Sequence, residues 1–509
     1  MKKYLRYTSL LGVAVGMLMT ASCNKDLLNQ VSPDKLTTDN YWTSKDRALT
    51  GLASAYSQLE SFTGWDNYVE ARSCREFYRE DYVIPGSDAY NYSWWMEIYN
   101  FNYNSGNYAI DLLWRDNYRG INFSNQVLTN VAAMTTAQID DSSRNVILAE
   151  AHFLRAYYYF KLLNNFEKVI IRDKVPEGEA DLPKAPATRA EVWDFIIADL
   201  KAAEPMLPLR SARPGAELGR VTKGAAQAYL GKVMIYRASE DKANATALYT
   251  EAASWLDKVI KSNQYSLVDN YLGMFNGTLT NSNESIFELQ QTNDENNGAF
   301  YKSQLSDWVA ASELGGYGEI YGTPRLLAEM LKEGRTAKDG LYDHRVYNTV
   351  FFRDPYFNDP ANPRVYGNVY DSLFTGNTIA FRKWIPSKLD LLGNPVAINA
   401  PLMRLADVML LYAEAENALG ANDLAMAQIN AVRARAAMPP LNLSATPDVF
   451  AEIVHERTME LTLECSRFYD LRRWGLLAQN MQAAGRQFSA DRGFYPLPLK
   501  ETLNNPLAK

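Results

Sequence analysis

Hydrophobic residues recur every three or four positions along most of the chain, which is the pattern of amphipathic helices packed against a core. Segment 401–420 shows it clearly, because its apolar residues share one helical face: Leu405, Val408, Met409, Tyr412, Ala415 and Leu419. Gly420 ends this helix, and Asp423 begins a second helix of the same period that stops at Pro439. The two segments predict a helical hairpin.

Four earlier segments are amphipathic in the same way and carry alanine where neighbouring helices would approach closely. They begin at Ala149, Ala190, Gly224 and Ala245. Their alternating small and aromatic residues resemble degenerate tetratricopeptide units, which stack because one helix pair cannot bury its apolar face alone. We therefore predict a predominantly all-α fold, in which a tetratricopeptide-like scaffold of helical hairpins carries a large loop-rich face and a few short strands.

Helical periodicity is brief between residues 270 and 400, where Gly, Asn, Asp and Pro recur. The runs SIFELQ, beginning at Ser285, and TIAFRKWI, beginning at Thr378, are candidates for short strands. Long loops on a regular scaffold often carry functional residues. This region is therefore predicted to face a ligand or a partner.

The stretch NYSWWMEIYNFNYNSGNY, residues 91–108, combines rings with amides. Seven of its 18 residues are aromatic, five are asparagine, and only Glu97 is charged. A buried core would use the rings but reject the amides, because an unpaired buried amide costs roughly 1–3 kcal/mol. A binding surface would use both kinds of side chain.

Composition narrows the classes of partner. With 509 residues, of which 47% are hydrophobic and 22% charged, the chain resembles an ordinary globular protein. Its 52 Lys and Arg residues are outnumbered by 59 Asp and Glu residues, which gives a net charge of −7. Because no dense run of basic residues is present, we expect no nucleic-acid partner.

The amino terminus has the three-part layout of a secretory signal. Basic residues precede an apolar segment at 10–19, which is too short to span a membrane, and Thr20-Ala21-Ser22-Cys23 follows. Small residues directly before a cysteine resemble a bacterial lipobox, although Thr20 replaces the usual leucine. We predict a signal peptide at 1–22 and lipidation of Cys23; the alternative is that Cys23 is an ordinary small residue near a cleavage site. Acyl chains contribute about 0.8 kcal/mol per buried methylene, enough in combination to hold a protein on a membrane.

Signals for catalysis are weak. The three histidines are scattered, and the HExxH, GxSxG and P-loop patterns are absent from the sequence. Acidic pairs such as Glu80 with Asp81 would suit glycosidase chemistry only at the right separation in space. Cys74 and Cys465 lie far apart without metal-ligand spacing, so we favour buried free thiols over a disulfide. We predict no catalytic residue, no metal and no cofactor.

Three runs near the carboxy terminus are similar to the signature of the SusD/RagB lipoproteins: MRLADVMLLYAEAENALG, AQINAVRARA and ERTMELTLECSRFYDLRRWG. The resemblance extends to CNKDLLNQVSPDKLT and DNYWTSKDRALTGLASAYSQL at the start, and to LLWRDNYRGINFSNQVL. One departure is Cys465, where glycine is common after the glutamate; we expect only local packing to change. We interpret the charged run from Glu456 to Gly475 as structural, with ion pairs within its helix and to neighbouring helices.

The resemblance implies a cell-surface lipoprotein of the outer membrane, anchored through lipid at Cys23. Such proteins bind nutrients, mostly oligosaccharides, and act as the lid of a SusC-like TonB-dependent outer-membrane transporter; they are not enzymes. The expected organisation is a signal peptide at 1–22, a lipidated tether at 23–40, a helical region at 41–269, a loop-rich region at 270–400 and a helical region at 401–509.

Sugars present apolar C–H faces and hydroxyl rims, so a site for them needs flat rings beside short polar groups. We predict a glycan platform formed by Trp94, Trp95 and Tyr99, with Asn91 or Asn102 as polar partners. Further ligand contacts are predicted from Trp308, Tyr317, Asp81, Asp88 and Arg79. In the alternative interpretation, one or both tryptophans anchor the loop or touch the transporter.

Other function classes stay open at this point. A surface α-helical glycosidase would share the signal and the aromatic residues, but it would turn over a polysaccharide. A lipid-anchored scaffold would bind the transporter and no glycan. Within the lid class, aromatic loops also suit peptides as cargo.

Overall fold

The computed structural model describes residues 41–59, 76–292, 302–393 and 396–508. The predicted signal peptide, the tether with Cys23, and Cys74 lie outside the described residues. Among the residues that are described, no helix has both the length and the apolar character needed to cross a membrane.

Helices dominate the fold, as the periodicity predicts. Those before the loop-rich region are α1 Lys45–Ser57, α2 Ser93–Tyr99, α3 Tyr108–Ala133, α4 Asp141–Asn165, α5 Arg189–Ala203, α6 Lys223–Glu240 and α7 Ala245–Lys261. Shorter ones follow within it: α8 Leu305–Val309, α9 Pro324–Leu331, α10 His344–Thr349 and α11 Tyr370–Leu373. The carboxy-terminal set is α12 Leu405–Ala418, α13 Asn422–Arg435, α14 Val449–Leu461, α15 Arg467–Arg473, α16 Leu477–Ala483 and α17 Leu499–Asn504.

The long helices pack in chain order, as stacked hairpins require. Helix α1 packs on α3, α3 on α4, α4 on α5, and α6 on both α5 and α7. The array then continues across the loop-rich region, because α7 packs on α12, which pairs with α13 in the predicted hairpin. Side-chain caps begin several helices; Thr188 and Glu191, for example, form a reciprocal capping box on α5.

Glycine allows two of these helix pairs to approach closely. A Cβ on Gly120 of α3 would lie 2.4 Å from the ring of Tyr158 on α4. A Cβ on Gly231 of α6 would lie 2.4 Å from Leu256 on α7. Both contacts are shorter than van der Waals distance, so a side chain at either position would push the helices apart.

Six short strands form three antiparallel pairs within the described residues. Strand β1 (Val83–Pro85) pairs with β3 (Ile320–Gly322), β2 (Ser285–Leu289) with β6 (Ala400–Arg404), and β4 (Val350–Phe351) with β5 (Ala380–Phe381). The strands predicted near residues 285 and 378 are therefore confirmed. The helix expected from Pro401 begins only at Leu405, because residues 400–404 form β6 against β2. This pairing joins the two ends of the loop-rich region to each other.

The charged carboxy-terminal run is structural, as predicted, but its partners lie mostly on other elements. Glu456 and Glu460 of α14 are fully buried and accept hydrogen bonds from Arg345 of α10, at 2.7 and 3.2 Å. Glu460 also pairs with Arg404 and Arg435. Such a charge network is tolerated in the interior only because every carboxylate is paired.

The backbone conformation at Cys465 is one that favours glycine. Its backbone φ is 58°, in the left-handed region that costs residues with a Cβ about 1–2 kcal/mol. The thiol is free and half-buried, and burial raises its pKa well above the usual value. The departure from the family pattern therefore affects backbone strain as well as packing.

Candidate functional site

Six aromatic rings form a continuous row from the interior to the surface. In order they are Tyr78, Trp95, Trp308, Tyr92, Trp94 and Tyr108, and we call this set the aromatic row. Neighbouring ring centroids lie between 5.6 and 6.2 Å apart. Exposure rises along the row, from 0% for Tyr78 and 3% for Trp95 to 40% for Tyr108. The inner end is therefore packing, and the outer end presents ring surface to solvent.

The structure separates the two tryptophans that the sequence places in one platform. Both lie on α2, but Trp95 is buried between Tyr78 and Trp308, whereas Trp94 is half-buried between Tyr92 and Tyr108. The prediction that Trp95 offers a face to ligand is corrected, since it anchors α2 to the scaffold. Trp94 keeps the position that the prediction requires.

Trp308 comes from the loop-rich region and joins the row as the sequence predicts. Its ring stacks on Tyr92 with planes 14° from parallel and meets Trp95 edge-on at 79°. After α8 the chain doubles back, so that the amide of Tyr317 donates to Asp307 O at 2.7 Å and that of Glu319 donates to Trp308 O at 3.0 Å. The tight turn uses left-handed glycines at Gly315 and Gly318.

A close backbone contact holds the two halves of the site together. Strands β1 and β3 pair directly before Gly86 and after Gly318. A Cβ on Gly86 would lie 1.7 Å from the carbonyl oxygen of Gly318, so only glycine fits at this crossing. Residues 83–92 and 308–322 are therefore fixed relative to each other.

Two carboxyl groups, Asp88 and Glu319, lie behind the row. Glu319 is 1% exposed, and its Oε2 accepts a hydrogen bond of 2.7 Å from the Tyr78 hydroxyl. The pKa of Glu319 is raised to about 8, mainly by burial. The hydrogen bond from Tyr78 lowers this pKa, whereas the nearby Asp88 carboxyl raises it further. Glu319 is therefore mostly protonated at neutral pH. Asp88 is half-buried and closer to the surface.

The asparagines of this stretch have mixed roles. Asn107 is buried; its side-chain amide donates to Trp94 O at 3.1 Å and to Glu97 at 2.7 Å, while its oxygen caps α3. Asn91 is exposed and donates to Asp88 at 2.8 Å. Asn102 is exposed in the turn after Phe101. The amides are thus partly structural, and Asn91, Asn100, Asn102 and Asn104 are the ones exposed to solvent.

Two predicted ligand contacts lie inside the protein. Arg79 is fully buried, donates to Asn165 at 2.6 Å and stacks on Phe468 at 4.0 Å. Asp81 is fully buried and paired with Arg467 at 2.9 Å. The predictions for both are wrong, because Asp81 is ion-paired with Arg467 and Arg79 is packed among aromatic rings inside the protein.

Tyr99 is half-buried on α2, and its ring lies 4.0 Å from the guanidinium of Arg486, so it packs against the carboxy-terminal segment. Glu80, the other member of the acidic pair considered for glycosidase chemistry, is also buried, at 2% exposure. That pair cannot reach a substrate.

Two exposed tyrosines complete the outer end. Tyr317 is 41% exposed, and its backbone amide donates to Asp307 O at 2.7 Å, in the residue next to Trp308. Tyr90 is 66% exposed and precedes Tyr92 by two residues. Sequence reasoning named Tyr317 but missed Tyr90, Tyr92 and Tyr108, although the density of rings around residue 91 already indicated them.

One cluster has the donor groups of a metal site. Glu333, Glu452, His455 and Glu456 place one ligand atom each within 4.8 Å of one another. However, the guanidinium of Arg433 donates to Glu333 and to Glu456, both at 2.7 Å. Burial alone would lower the pKa of His455, but hydrogen bonds to Glu329 and Glu333 outweigh it and raise the pKa to about 9. Side-chain cations thus already compensate these carboxylates.

Comparison with known proteins assigns the class. Residues 283–504 match the family model described as "SusD family", and residues 44–235 match one described as "Starch-binding associating with outer membrane". A SusD-like protein of Bacteroides ovatus is 26% identical over 490 residues, covering 92% of this chain and 82% of that protein. The chain belongs to the SusD/RagB family.

Solved structures agree with this assignment. A SusD superfamily protein from Bacteroides vulgatus has a TM-score of 0.79 at 25% identity, covering 92% of this chain and 99% of that one. A structure described as a laminarin-binding SusD-like protein has a TM-score of 0.72 at 26% identity, covering 91% and 98%. Surface glycan-binding protein A from Bacteroides fluxus, at 22% identity and a TM-score of 0.72 over 91% and 97%, shares the fold.

Proposed function

We propose that this protein binds oligosaccharides at the outer end of the aromatic row and presents them for import across the outer membrane. In this proposal it is a cell-surface lipoprotein, acylated at Cys23, and it serves as the lid of a SusC-like TonB-dependent transporter. Family membership and the relatives described as laminarin-binding or glycan-binding support the ligand class.

The observation that carries the proposal is the graded exposure of the row. Trp94 and Tyr108 present ring surface, Tyr317 and Tyr90 lie exposed, and Asn91 supplies an amide at the same surface. Flat apolar faces beside short polar groups match the two kinds of surface on a sugar ring. The buried inner rings hold the outer ones in place, which lowers the entropy lost on binding.

The expected affinity is modest. Each ring contact contributes about 0.5–1.5 kcal/mol, taking aromatic pairs as a guide. Two or three rings with hydrogen bonds then give about 4–6 kcal/mol, which corresponds to a dissociation constant from about millimolar to tens of micromolar. Such weak binding suits a protein that must release its cargo to a transporter.

Calorimetric titration of laminarin and starch oligosaccharides into the purified protein tests the ligand class. We expect binding that Trp94→Ala together with Tyr108→Ala weakens at least tenfold, about 1.4 kcal/mol. Trp255→Ala is the matched control, because this indole is also half-buried but lies on α7, where the Lys258 ammonium is 3.6 Å from its ring centroid. Equal affinity in the double variant and the control would remove the aromatic row from the proposal.

The lid role needs a separate experiment. Affinity purification from native outer membranes should recover a large β-barrel transporter together with this chain. Cys23→Ser should release the chain from the membrane fraction, because acylation needs the thiol. Recovery of the barrel without glycan binding by the purified chain would indicate the scaffold alternative.

Binding without turnover is the expected chemistry. Glu319, which accepts a hydrogen bond from Tyr78 of the row, is 1% exposed, so it does not reach a glycosidic oxygen above the rings. Chromatography of oligosaccharides incubated with the protein should show unchanged chain lengths. Products that disappear in Glu319→Gln would instead indicate a glycosidase. Peptide libraries in the same titration test the other cargo class.

A further inference from the structure

Glu319 is a buried acid whose backbone is bound by both halves of the candidate site. It lies directly before β3, where its amide donates to Trp308 O at 3.0 Å. Its carbonyl oxygen accepts a hydrogen bond of 2.8 Å from the amide of Gly86, directly after β1. The side chain of Glu319 is therefore attached to a fixed point between the loop-rich region and the amino-terminal half.

The Glu319 carboxyl contacts a second carboxyl group. Its Oε2 accepts a hydrogen bond of 2.7 Å from the Tyr78 hydroxyl. Its Oε1 is closed to solvent and accepts no hydrogen bond from the residues that the structure describes. The Asp88 carboxyl lies within hydrogen-bonding reach of the same group. Two ionised carboxylates repel and share no hydrogen, so this contact is favourable only when one of them carries a proton.

The proton of this pair belongs on Glu319. Glu319 is 1% exposed whereas Asp88 is half-buried, so burial opposes ionisation of Glu319 more strongly. The pKa of Glu319 is accordingly raised to about 8. In its protonated form the carboxyl donates to Asp88 and accepts from Tyr78 at the same time.

Asp88 carries this contact to the protein surface. It begins the one-turn helix Asp88–Asn91, and its Oδ1 accepts a hydrogen bond of 2.8 Å from the side-chain amide of Asn91. Asn91 is exposed, Tyr90 of the same turn is 66% exposed, and Tyr92 of the aromatic row follows directly. A fixed Asp88 therefore holds a polar group of the proposed ligand surface in one orientation beside its rings.

We propose that the protonated Glu319 carboxyl is a positioning group for oligosaccharide binding, which holds Asp88 and, through it, the Asn91 amide. This inference rests on the proposed function and adds to it a residue that does not touch the ligand. Loss of the proton places two negative charges side by side. Asp88, the more exposed of the two, then turns toward solvent, and the Asn91 amide loses its fixed partner. Oligosaccharide binding therefore weakens as the pH rises through about 8.

Other titratable groups around Glu319 keep their charge in this range. Tyr92 and Tyr317 have pKa values raised above the ordinary value of 10, mainly by burial, so both stay neutral up to pH 9. The Arg486 guanidinium donates to the carbonyl oxygen of Tyr78 at 2.8 Å. Burial lowers the pKa of Arg486 to about 10, so it stays largely charged at pH 9.

Calorimetric titration of laminarin and starch oligosaccharides between pH 6 and pH 9 tests the inference. We expect the dissociation constant of wild type to rise at least about fivefold over this range, the effect of losing one hydrogen bond. Glu319→Gln should keep at pH 9 the affinity that wild type has at pH 6, because an amide donates to Asp88 and accepts from Tyr78 as the protonated acid does. Tyr78→Phe removes a hydrogen bond that favours the ionised form, so it should move the midpoint of the weakening to higher pH.

Infrared spectroscopy of the free protein is a second measurement that needs no ligand. The carbonyl stretch of one protonated carboxyl group should disappear with a midpoint near pH 8 and should be absent from Glu319→Gln. Saturating oligosaccharide should move this midpoint to higher pH, because a ligand that prefers the protonated form must by linkage raise the pKa. A midpoint that ligand leaves unchanged would contradict the positioning role.

The matched control is Asp307→Asn. Asp307 is also 1% exposed, has a pKa raised mainly by burial, and precedes Trp308 directly. Thermal melting at both ends of the pH range establishes that the variants fold, and this one should keep the wild-type pH profile. A flat profile in Asp307→Asn would assign the titration to Asp307 and overturn the inference.

Two further outcomes would overturn the inference while the proposed function stands. One is equal affinity of wild type for the oligosaccharides at pH 6 and pH 9. The other is a Glu319→Gln variant whose binding weakens with pH as that of wild type does. If none of these oligosaccharides binds at any pH, the proposed function fails, and the inference fails with it.

Discussion

The ring of Trp308 stacks on that of Tyr92, with centroids 6.2 Å apart and planes 14° from parallel. One ring belongs to the loop-rich region and the other to the amino-terminal half, so this contact joins two distant parts of the chain. It also links the buried Trp95 to the exposed end of the row. Trp308 is therefore the central support of the candidate site.

Replacing Trp308 should disturb ligand binding through its neighbours. In Trp308→Ala, Tyr92 loses its stacking partner and the outer rings lose a fixed position, so we expect at least tenfold weaker oligosaccharide binding. Because Trp308 is partly buried, the free energy of unfolding should also fall, by less than the roughly 3–5 kcal/mol typical of a fully buried tryptophan. Trp308→Phe, which keeps a ring, should recover part of the affinity and part of the stability. Unchanged oligosaccharide binding in Trp308→Ala would show that Trp308 does not support the site. Calorimetry and urea unfolding measure the two effects.

Gly86→Ala should separate the two segments of the site. The new Cβ would meet the Gly318 carbonyl oxygen at 1.7 Å, and a backbone atom cannot rotate away as a side chain can. We expect destabilisation of about 1–3 kcal/mol together with weaker glycan binding.

Gly178→Ala is its control, because a Cβ there meets no atom within 4 Å and its φ of −172° is open to any residue. Equal melting temperatures for the two variants would show that the crossing is not tight in solution.

The helical part of the fold follows from local pattern. Hairpins such as α12 and α13 are visible as one apolar face per helix, ended by Gly420 and by paired prolines. Strand β6 is not visible in this way, because PLMRL continues directly into the apolar period of α12. Only its pairing with β2, which is distant in the chain, makes it a strand.

The sequence predicts which types of residue form the site, but it predicts less well which way their side chains point. Trp94 and Trp95 are consecutive on a helix, so their side chains point about 100° apart and cannot share a face. Trp95 and Ile98 are spaced i, i+3 and are both buried. This spacing was the available signal that Trp95 faces the core. The burial of Asp81 depends on Arg467, whose position follows only from the tertiary fold.

The carboxyl of Glu319 should make stability depend on pH. Its pKa is about 8 in the folded protein and near 4.5 when unfolded, so the folded state binds the proton more tightly. The free energy of unfolding therefore falls as pH rises from about 4.5 through 8. Glu319→Gln removes this dependence. The free energy of unfolding of the variant minus that of wild type should therefore increase by at least about 1.4 kcal/mol from pH 5 to pH 9, the equivalent of one pKa unit.

Urea unfolding of both proteins across this pH range gives the difference directly, and other titrating groups cancel in it. A difference that stays constant from pH 5 to pH 9 would contradict the raised pKa.

Glu460 should be the most sensitive position of the charged carboxy-terminal run. Glu460→Ala leaves Arg345, Arg404 and Arg435 without a shared buried carboxylate, and breaking a buried pair costs about 3–5 kcal/mol. The exposed pair of Asp257 with Lys261 is the control, and Asp257→Asn should cost less than about 1 kcal/mol. Similar urea midpoints for the two variants would show that the network adds little to stability.

Cys465 allows a direct measurement of backbone strain. Cys465→Gly and Cys465→Ala both remove the thiol, but only glycine adopts a φ of 58° without steric cost. We expect the glycine variant to be more stable than the alanine variant by about 1 kcal/mol, because relief of the left-handed strain exceeds the extra entropy of an unfolded glycine. Thermal unfolding of the pair isolates the backbone effect, since the cavity left by the thiol is nearly the same in both. An alanine variant as stable as the glycine variant would mean that the backbone relaxes at this position.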